Sequence, residues 1–230
     1  MEVKDKEVQV IIKDLGITDY NDTLAIQRDI FGQLVENKKN KIRNYKNYLL
    51  LTEHLPVITL GRHADHNNVL LDDSRLKSIG VNKIEIERGG DVTFHGPGQL
   101  VVYPLIDLDE FNIGIKDYVR LIEETVILAL RQSGIEGMRK AGAPGVWINI
   151  EGPEKKICAL GIKSSRFCVM HGFALNINTD LSGFMMINPC GFKDYGVTSI
   201  KEITGENQSI DKIKKIVSDI FLSLIFSFKK

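Results

Sequence analysis

Apolar and polar positions along the chain fall into short strand-like runs framed by a few helical ones. The run VQVIIKDLG, from Val8, reads as a β-strand. The run DYNDTLAIQRDIFGQLVE, from Asp19, reads as a helix, with Ile26, Ile30 and Leu34 four residues apart and Phe31 beside them. NYLLLTEH and PVITLGR supply two β-rich runs, and VNKIEIE at 81–87 alternates as a half-buried strand does. LVVYPLIDL is a further strand. A long helix is expected from about Ile115 to Gln132, with Ile115, Tyr118, Val119, Ile122, Val126, Ala129 and Leu130 on one face and Gly134 where a C-terminal cap belongs. GVWINI, KICALGIK and VMHGFALNIN return to strand, and a last helix starts near Ser209. Strands dominate the middle and helices flank them, which predicts an α/β protein of the α+β type, a mixed β-sheet with helices packed on it.

One stretch fits this alternation poorly: ERGGDVTFHGPGQLVVYPL at 87–105, with an arginine, a histidine, four glycines and a proline directly before an apolar run. A flexible linker is excluded because Thr93, Phe94 and His95 interrupt the glycines and a β-rich run follows at once. A long hairpin connection and a ligand-binding loop remain.

Composition narrows the class. With 230 residues, 43% hydrophobic and 26% charged, and no Pro- or Ser-rich linker or repeat, the chain reads as one globular domain over 1–230. Lys+Arg and Asp+Glu balance at 30 each, which disfavours a polyanion binder. The basic run KKNKIRNYK at 38–46 reads as a solvated loop. Three cysteines without CxxC spacing argue against a disulfide framework or a zinc site and for a reducing, cytoplasmic setting. The N-terminus has no signal-peptide pattern, and FLSLIFSF at 221–228 falls far short of the ~20 residues that span a bilayer. It reads as a closing helix on the core.

Common chemical signatures are missing. GPGQLV lacks the third glycine of GxGxxG and precedes a strand, and there is no GxxxxGK[ST], GxSxG or HExxH. Cys190, in MINPCGF, lies between a proline that fixes one torsion and a glycine that clears space, whereas Cys158 and Cys168 sit inside apolar strand runs as small buried hydrophobes do. A thiol nucleophile needs a neighbouring base or cation, since little of it is thiolate at neutral pH. Strand alternation places Lys156 on the face of Cys158, Leu160 and Ile162, with Lys155 on the other; both faces are mostly apolar, so either lysine remains open. Gly172, in HGFALN, marks a bulge or a place where a ligand lies on bare backbone, and the ALG of Ala159, Leu160 and Gly161 has the same character.

Taken together, RGGDVTFHGPGQLVVYPL, KICALGIK, HGFALNIN and INPCGFKDYGVTSI, in this order, resemble the octanoyltransferases of lipoate biosynthesis. The resemblance implies the fold shared with biotin and lipoate protein ligases. It implies transfer of an octanoyl (or lipoyl) group from acyl carrier protein to a lysine of lipoyl-domain apoproteins, those of 2-oxoacid dehydrogenases or the glycine cleavage H protein, through an acyl-cysteine. On this sequence the family's nucleophile falls on Cys190 and its activating lysine on Lys156. Its substrate-binding segments fall on Arg88, Gly89, Gly90, Asp91, Val92, Thr93, Phe94 and His95, on Ala159, Leu160 and Gly161, and on Gly172, Phe173 and Ala174. Phe94 stands where the family commonly has tyrosine. No metal, cofactor, nucleic acid or membrane is expected, and the expected state is a monomer. Two other classes compete: an ATP-dependent lipoate ligase, which would carry a stretch like SGGGAVYHD, and a non-catalytic acyl-binding protein.

Overall fold

The computed structural model describes residues 8–42, 45–149, 152–188 and 196–229. The chain order is β1 (Val10–Thr18), α1 (Tyr20–Lys39), β2 (Asn47–His54), β3 (Val57–Leu60), α2 (Asp73–Ser78), β4 (Asn82–Glu85), β5 (Val92–His95) and β6 (Gln99–Asp107). Then follow α3 (Ile115–Arg131), β7 (Gly137–Met138), β8 (Gly145–Ile148), β9 (Lys155–Ser165), β10 (Cys168–Asn176), β11 (Gly196–Val197), α4 (Ile200–Thr204) and α5 (Ile210–Ser227).

The strands form two sheets. The larger runs β1-β2-β6-β10-β9-β8-β7, with β11 beside β9, and the smaller runs β4-β3-β5. β1 with β2, β11 with β9 and β3 with β4 are parallel and the other pairs antiparallel, so the sheet is mixed as its sequence predicts. β6 lies between β2 and β10 and is buried throughout, which its unbroken apolar run anticipates. Its residues divide by alternation: Leu100, Val102 and Ile106 enter the cluster with α3 and α5, while Val101, Tyr103 and Leu105 enter the cluster with α1. Helices therefore cover both faces, each held by a core that the strands supply in period two.

Two expectations need correction. On α1 the buried side chains are Tyr20, Thr23, Leu24, Gln27, Ile30, Phe31 and Leu34, and Ile26 is exposed. A spacing of four advances ~40° beyond a full turn at 3.6 residues per turn, so Ile26 drifts off the face that Leu34 occupies. The basic run at 38–46 is not simply solvated either, because Lys38 closes the end of α1 and pairs with Asp107 at 2.5 Å.

The unusual stretch at 87–105 is not a hairpin. β5 pairs with β3 in the small sheet, while β6 pairs with β2 and β10 in the large one. HGPG is the corner where the chain passes between them. Gly98 there has φ +81°, a left-handed conformation, and its N–H donates to Glu53 at 2.8 Å. Among the described residues no helix is long and apolar enough to cross a membrane.

Candidate active site

A cavity of about 600 Å³ opens between the two sheets and the α3 side of the molecule, lined by Tyr20, Arg88, His95, Tyr103, Trp147, Lys156 and His171 among others. Of the residues expected to bind substrate, Arg88, Gly89, Gly90, Asp91, Val92, Thr93, His95, Ala159, Leu160, Gly161, Gly172, Phe173 and Ala174 all line it. Phe94 does not. It is buried against Phe184, with ring centroids 5.6 Å apart, in the cluster of the small sheet, where a phenyl ring needs no hydroxyl partner.

The glycine-rich loop owes its shape to Arg88 and Asp91. The Arg88 guanidinium is buried and donates to the Thr59 carbonyl at 2.9 Å, to Thr59 Oγ1 at 3.0 Å and to the Gly89 carbonyl at 3.1 Å, which pins the loop to β3. Asp91 accepts from Asn68 Nδ2 at 2.6 Å and from the Asp65 N–H at 3.0 Å. From the other side the Gly89 N–H donates to the Ile162 carbonyl at 2.9 Å, so the loop lies on β9. Gly161 permits that contact: a Cβ there would stand 2.8 Å from the Gly89 carbonyl oxygen and 3.0 Å from Arg88 Cδ. Gly172, its partner on β10, faces the β6 backbone, where a Cβ would meet the Val102 carbonyl oxygen at 2.1 Å.

The structure separates the two lysines. Lys156 lines the cavity with its Nζ 4.7 Å from the centre of the Trp147 ring, and the indole is fixed by its Nε1–H donating to the Ala143 carbonyl at 2.9 Å. Lys155 turns away and pairs with Glu202 of α4 at 3.2 Å. The expected grouping of Lys156 with Cys158 does not hold. Val146 pairs with Cys158 but the next residue, Trp147, pairs with Lys156, so Ile157 is an additional residue on β9 that interrupts the alternation. Ile157 and Cys158 both enter the core.

The two described cysteines are free buried thiols, as their apolar surroundings predict. Burial pushes the Cys158 thiol far above its usual range, and burial followed by the nearby Asp107 raises Cys168 to about 12. Neither supplies thiolate at neutral pH. Cys190 lies outside the described residues. On either side of 189–195, the Asn188 N–H donates to the Asn68 carbonyl at 2.8 Å and Gly196 pairs with Lys155. Gly196 and Val197 line the cavity.

Sequence reasoning named His95 but missed its companions Tyr20, Tyr103 and His171 in the cavity lining. Tyr20 and His95 stack with centroids 5.9 Å apart, and His54 Nε2 lies 2.8 Å from the Tyr103 hydroxyl. His171 is buried in a left-handed conformation, φ +59°, and neither ring nitrogen is hydrogen-bonded among the described residues. Burial lowers His54 and His171 to about 4 and His95 to about 3, so all three rings are neutral at pH 7. His171 carried a signal, a histidine beside a glycine inside a strand; the tyrosines did not, since core positions and site positions look alike in an apolar pattern. Among the described residues no three His, Cys, Asp or Glu side chains are grouped to hold a metal.

A largely apolar slot with glycine backbone along its wall and Lys156 in its lining suits an acyl chain joined to a reactive carbonyl. Known proteins carry the same arrangement of sequence. The catalytic-domain family of lipoyl protein ligases A and B matches residues 19–222. An octanoyltransferase of Parabacteroides distasonis is 46% identical over 213 residues, 92% of this chain and 96% of that one. An octanoyltransferase of Porphyromonas gingivalis is 46% identical over 91% of this chain; the chain spans 43% of that longer relative. In three dimensions a lipoate-protein ligase A crystallised with ATP superposes with a TM-score of 0.71 at 17% identity, over 96% of this chain and 86% of that one. Biotin protein ligase from Aquifex aeolicus gives 0.51 at 16% identity, over 96% and 70%; at such identities these two define the fold alone. The fold is that of the lipoate and biotin protein ligases, and the chain belongs to the octanoyltransferases of the lipoyl protein ligase A/B catalytic domain family.

Proposed function

We propose that this chain moves an octanoyl group, or a lipoyl group, from acyl carrier protein to a lysine of a lipoyl-domain apoprotein through a thioester on Cys190. The observation that carries the reading is the placement of Lys156 on the cavity, beside the strand β11 that follows residues 189–195, while Lys155 is turned away into an ion pair with Glu202. The names of the curated relatives supply the acyl group.

In the first half-reaction the Cys190 sulfur attacks the carbonyl of the carrier thioester. Its proton passes to Lys156 and from there to the leaving thiol of the carrier, so one thioester replaces another at little net free-energy change. In the second, the amine of the acceptor lysine attacks the acyl-cysteine. The C–N bond forms, the C–S bond breaks, and the proton shed by nitrogen ends on sulfur. The amide is the more stable product, which drives the sequence forward. Cavity backbone at Ala159–Gly161 and Gly172–Ala174 would cradle the chain, and the loop from Arg88 to His95 would close over it. The reading places a single catalytic domain, working as a monomer, in the cytoplasm. The reaction as written uses no cofactor.

The test is incubation with octanoyl carrier protein followed by peptide mapping. An octanoyl thioester is expected on Cys190 and absent in Cys190→Ala; an adduct on Cys158 or Cys168 refutes the assignment. Transfer to an apo lipoyl domain is expected without ATP. A strict requirement for ATP and free fatty acid would place the chain with the ligases, and tight acyl binding without transfer would make it a binding protein.

A further inference from the structure

A chain of hydrogen bonds fixes which nitrogen of His95 carries its proton. Asn176 Nδ2 donates to the Thr198 carbonyl at 3.0 Å, and a carbonyl can only accept, so Asn176 must turn its Oδ1 toward Gln99. Gln99 Nε2 donates to that Oδ1 at 2.9 Å and to the Phe94 carbonyl at 3.2 Å, a second acceptor that fixes the Gln99 amide. Gln99 Oε1 is thereby the atom facing His95 Nδ1 at 2.7 Å, and the N–H must belong to the imidazole. Two backbone carbonyls thus dictate an Nδ1–H ring whose Nε2 presents a bare lone pair. Nε2 has no hydrogen-bond partner among the described residues, and His95 lines the cavity.

The array also has a position. On β10, Asn176 pairs with Gln99 of β6 and follows Leu175, which pairs with Cys158, so the hydrogen bonds cross β6 and β10 level with Ile157 of β9, next to Lys156. Its far end, Thr198, donates its N–H to the Lys156 carbonyl at 3.0 Å. Stacking on Tyr20 and edge contact with His54, each with centroids 5.9 Å away, hold the ring plane.

A fixed acceptor repels a thioester carbonyl, which is itself an acceptor, and attracts an N–H. The reactants of the proposed reaction bring one reacting N–H, on the acceptor lysine. We propose that His95 Nε2 accepts a hydrogen bond from the attacking lysine nitrogen in the second half-reaction, aiming its lone pair at the acyl carbonyl. As the C–N bond forms and the C–S bond to Cys190 breaks, positive charge grows on that nitrogen and the bond to Nε2 strengthens, which lowers the barrier to this step. The imidazole does not keep the proton, which ends on the cysteine sulfur. The inference rests on the acyl-cysteine reading, and the two half-reactions keep the tests separate.

Acyl-enzyme formation from octanoyl carrier protein and transfer from isolated acyl-enzyme to an apo lipoyl domain are timed independently by rapid quench. His95→Phe is expected to slow transfer on the order of a hundredfold, in keeping with the loss of one positioned proton acceptor, and to slow acylation, in which the same loop holds the acyl chain, by a much smaller factor. His95→Gln, whose side-chain oxygen can reach the place of Nε2, should recover part of the rate. Gln99→Met, which keeps His95 but removes its lock, should slow transfer by a smaller factor and serves if His95→Phe does not fold. Nitrogen NMR of the wild-type imidazole should show Nδ1 protonated and Nε2 bare. A protonated Nε2, transfer unchanged in the variants, or acylation slowed as much as transfer would each overturn the inference. If wild type forms no acyl-Cys190 at all, the reading of the preceding section fails instead.

Discussion

Lys155 and Lys156 are adjacent in sequence and opposite in consequence, because successive side chains of β9 leave the sheet on opposite sides. An ammonium beside a thiol favours thiolate, and a neutral amine can take the thiol proton, so removing the true partner raises the pH at which the thiol alkylates. Lys156→Ala should shift the iodoacetamide curve of Cys190 upward and slow acyl-enzyme formation by roughly two to four powers of ten. Lys155→Ala should leave both nearly unchanged. Peptide mass resolves Cys190 from Cys158 and Cys168, and the measured midpoint belongs to the coupled pair. A shift confined to Lys155→Ala would refute the register. Alternation showed that Lys155 and Lys156 face opposite ways, but its ground for preferring Lys156, the grouping with Cys158, did not hold. That grouping assumed an unbroken strand, and an extra residue such as Ile157 leaves no mark in an apolar run. Arg88 was legible as a loop residue because an arginine among glycines has no core use. His95 showed its place but not its tautomer, which depends on Gln99, Asn176 and Thr198 meeting in space.

At the next scale, α1, the glycine-rich loop and β9 meet at Glu87. Its carboxylate takes a bidentate pair from Arg28, at 2.9 and 3.2 Å, and lies 3.4 Å from Lys163. The Arg28 hydrogen bonds hold its pKa down at about 2, below the ordinary 4.5. A depressed carboxylate contributes stability that is whole above pH 4.5 and is lost as pH falls toward 2. Arg28 is more than half exposed, so solvent screening limits the contribution to under about 1 kcal/mol. Urea unfolding of Glu87→Gln should show that small deficit at pH 7 and a shrinking one at pH 4 and pH 3; a deficit independent of pH would deny the ion pair its role. Gly161→Ala tests the loop more severely, since its methyl would press on the Gly89 carbonyl. A cost of about 1–3 kcal/mol is expected, with KM for the carrier substrate rising more than kcat falls. Long elements such as α3, β6 and β10 were legible because each repeats its period many times. β7 and β11 have two residues each, and so short a pair of strands has no period to read.

At the scale of the whole molecule, the chain leaves the large sheet at Leu55 and Pro56 and returns to it at 96–98, so the small sheet is one continuous segment, 57–95, inserted between β2 and β6, and the large sheet is split by it. The small sheet has its own apolar cluster, Ile58, Leu60, Val92 and Phe94 among it, yet both its ends run within a few residues into β2 and β6 of the large one. Two such short crossings, with the Gly89 N–H bonded to the Ile162 carbonyl of β9, couple the two cores. Differential scanning calorimetry should therefore give one transition with calorimetric and van't Hoff enthalpies in agreement, and two resolved transitions would show the small sheet to be an independent unit. The mixed sheet with flanking helices was legible from the order of runs. The division into two sheets was not, because strand pairing across forty residues is set by which faces find each other and not by local pattern.

Trp147 carries one more implication. It is the chain's single tryptophan, buried on the cavity wall with the Lys140 and Lys156 ammonium groups 4.9 and 4.7 Å from its ring centre. The emission of an indole responds to charge held this close, and every change in where Lys156 sits or what it holds changes that charge. The protein thus has its own fluorophore at the place where proton transfer is proposed, so acylation and deacylation can be followed in stopped flow by tryptophan emission, without a label.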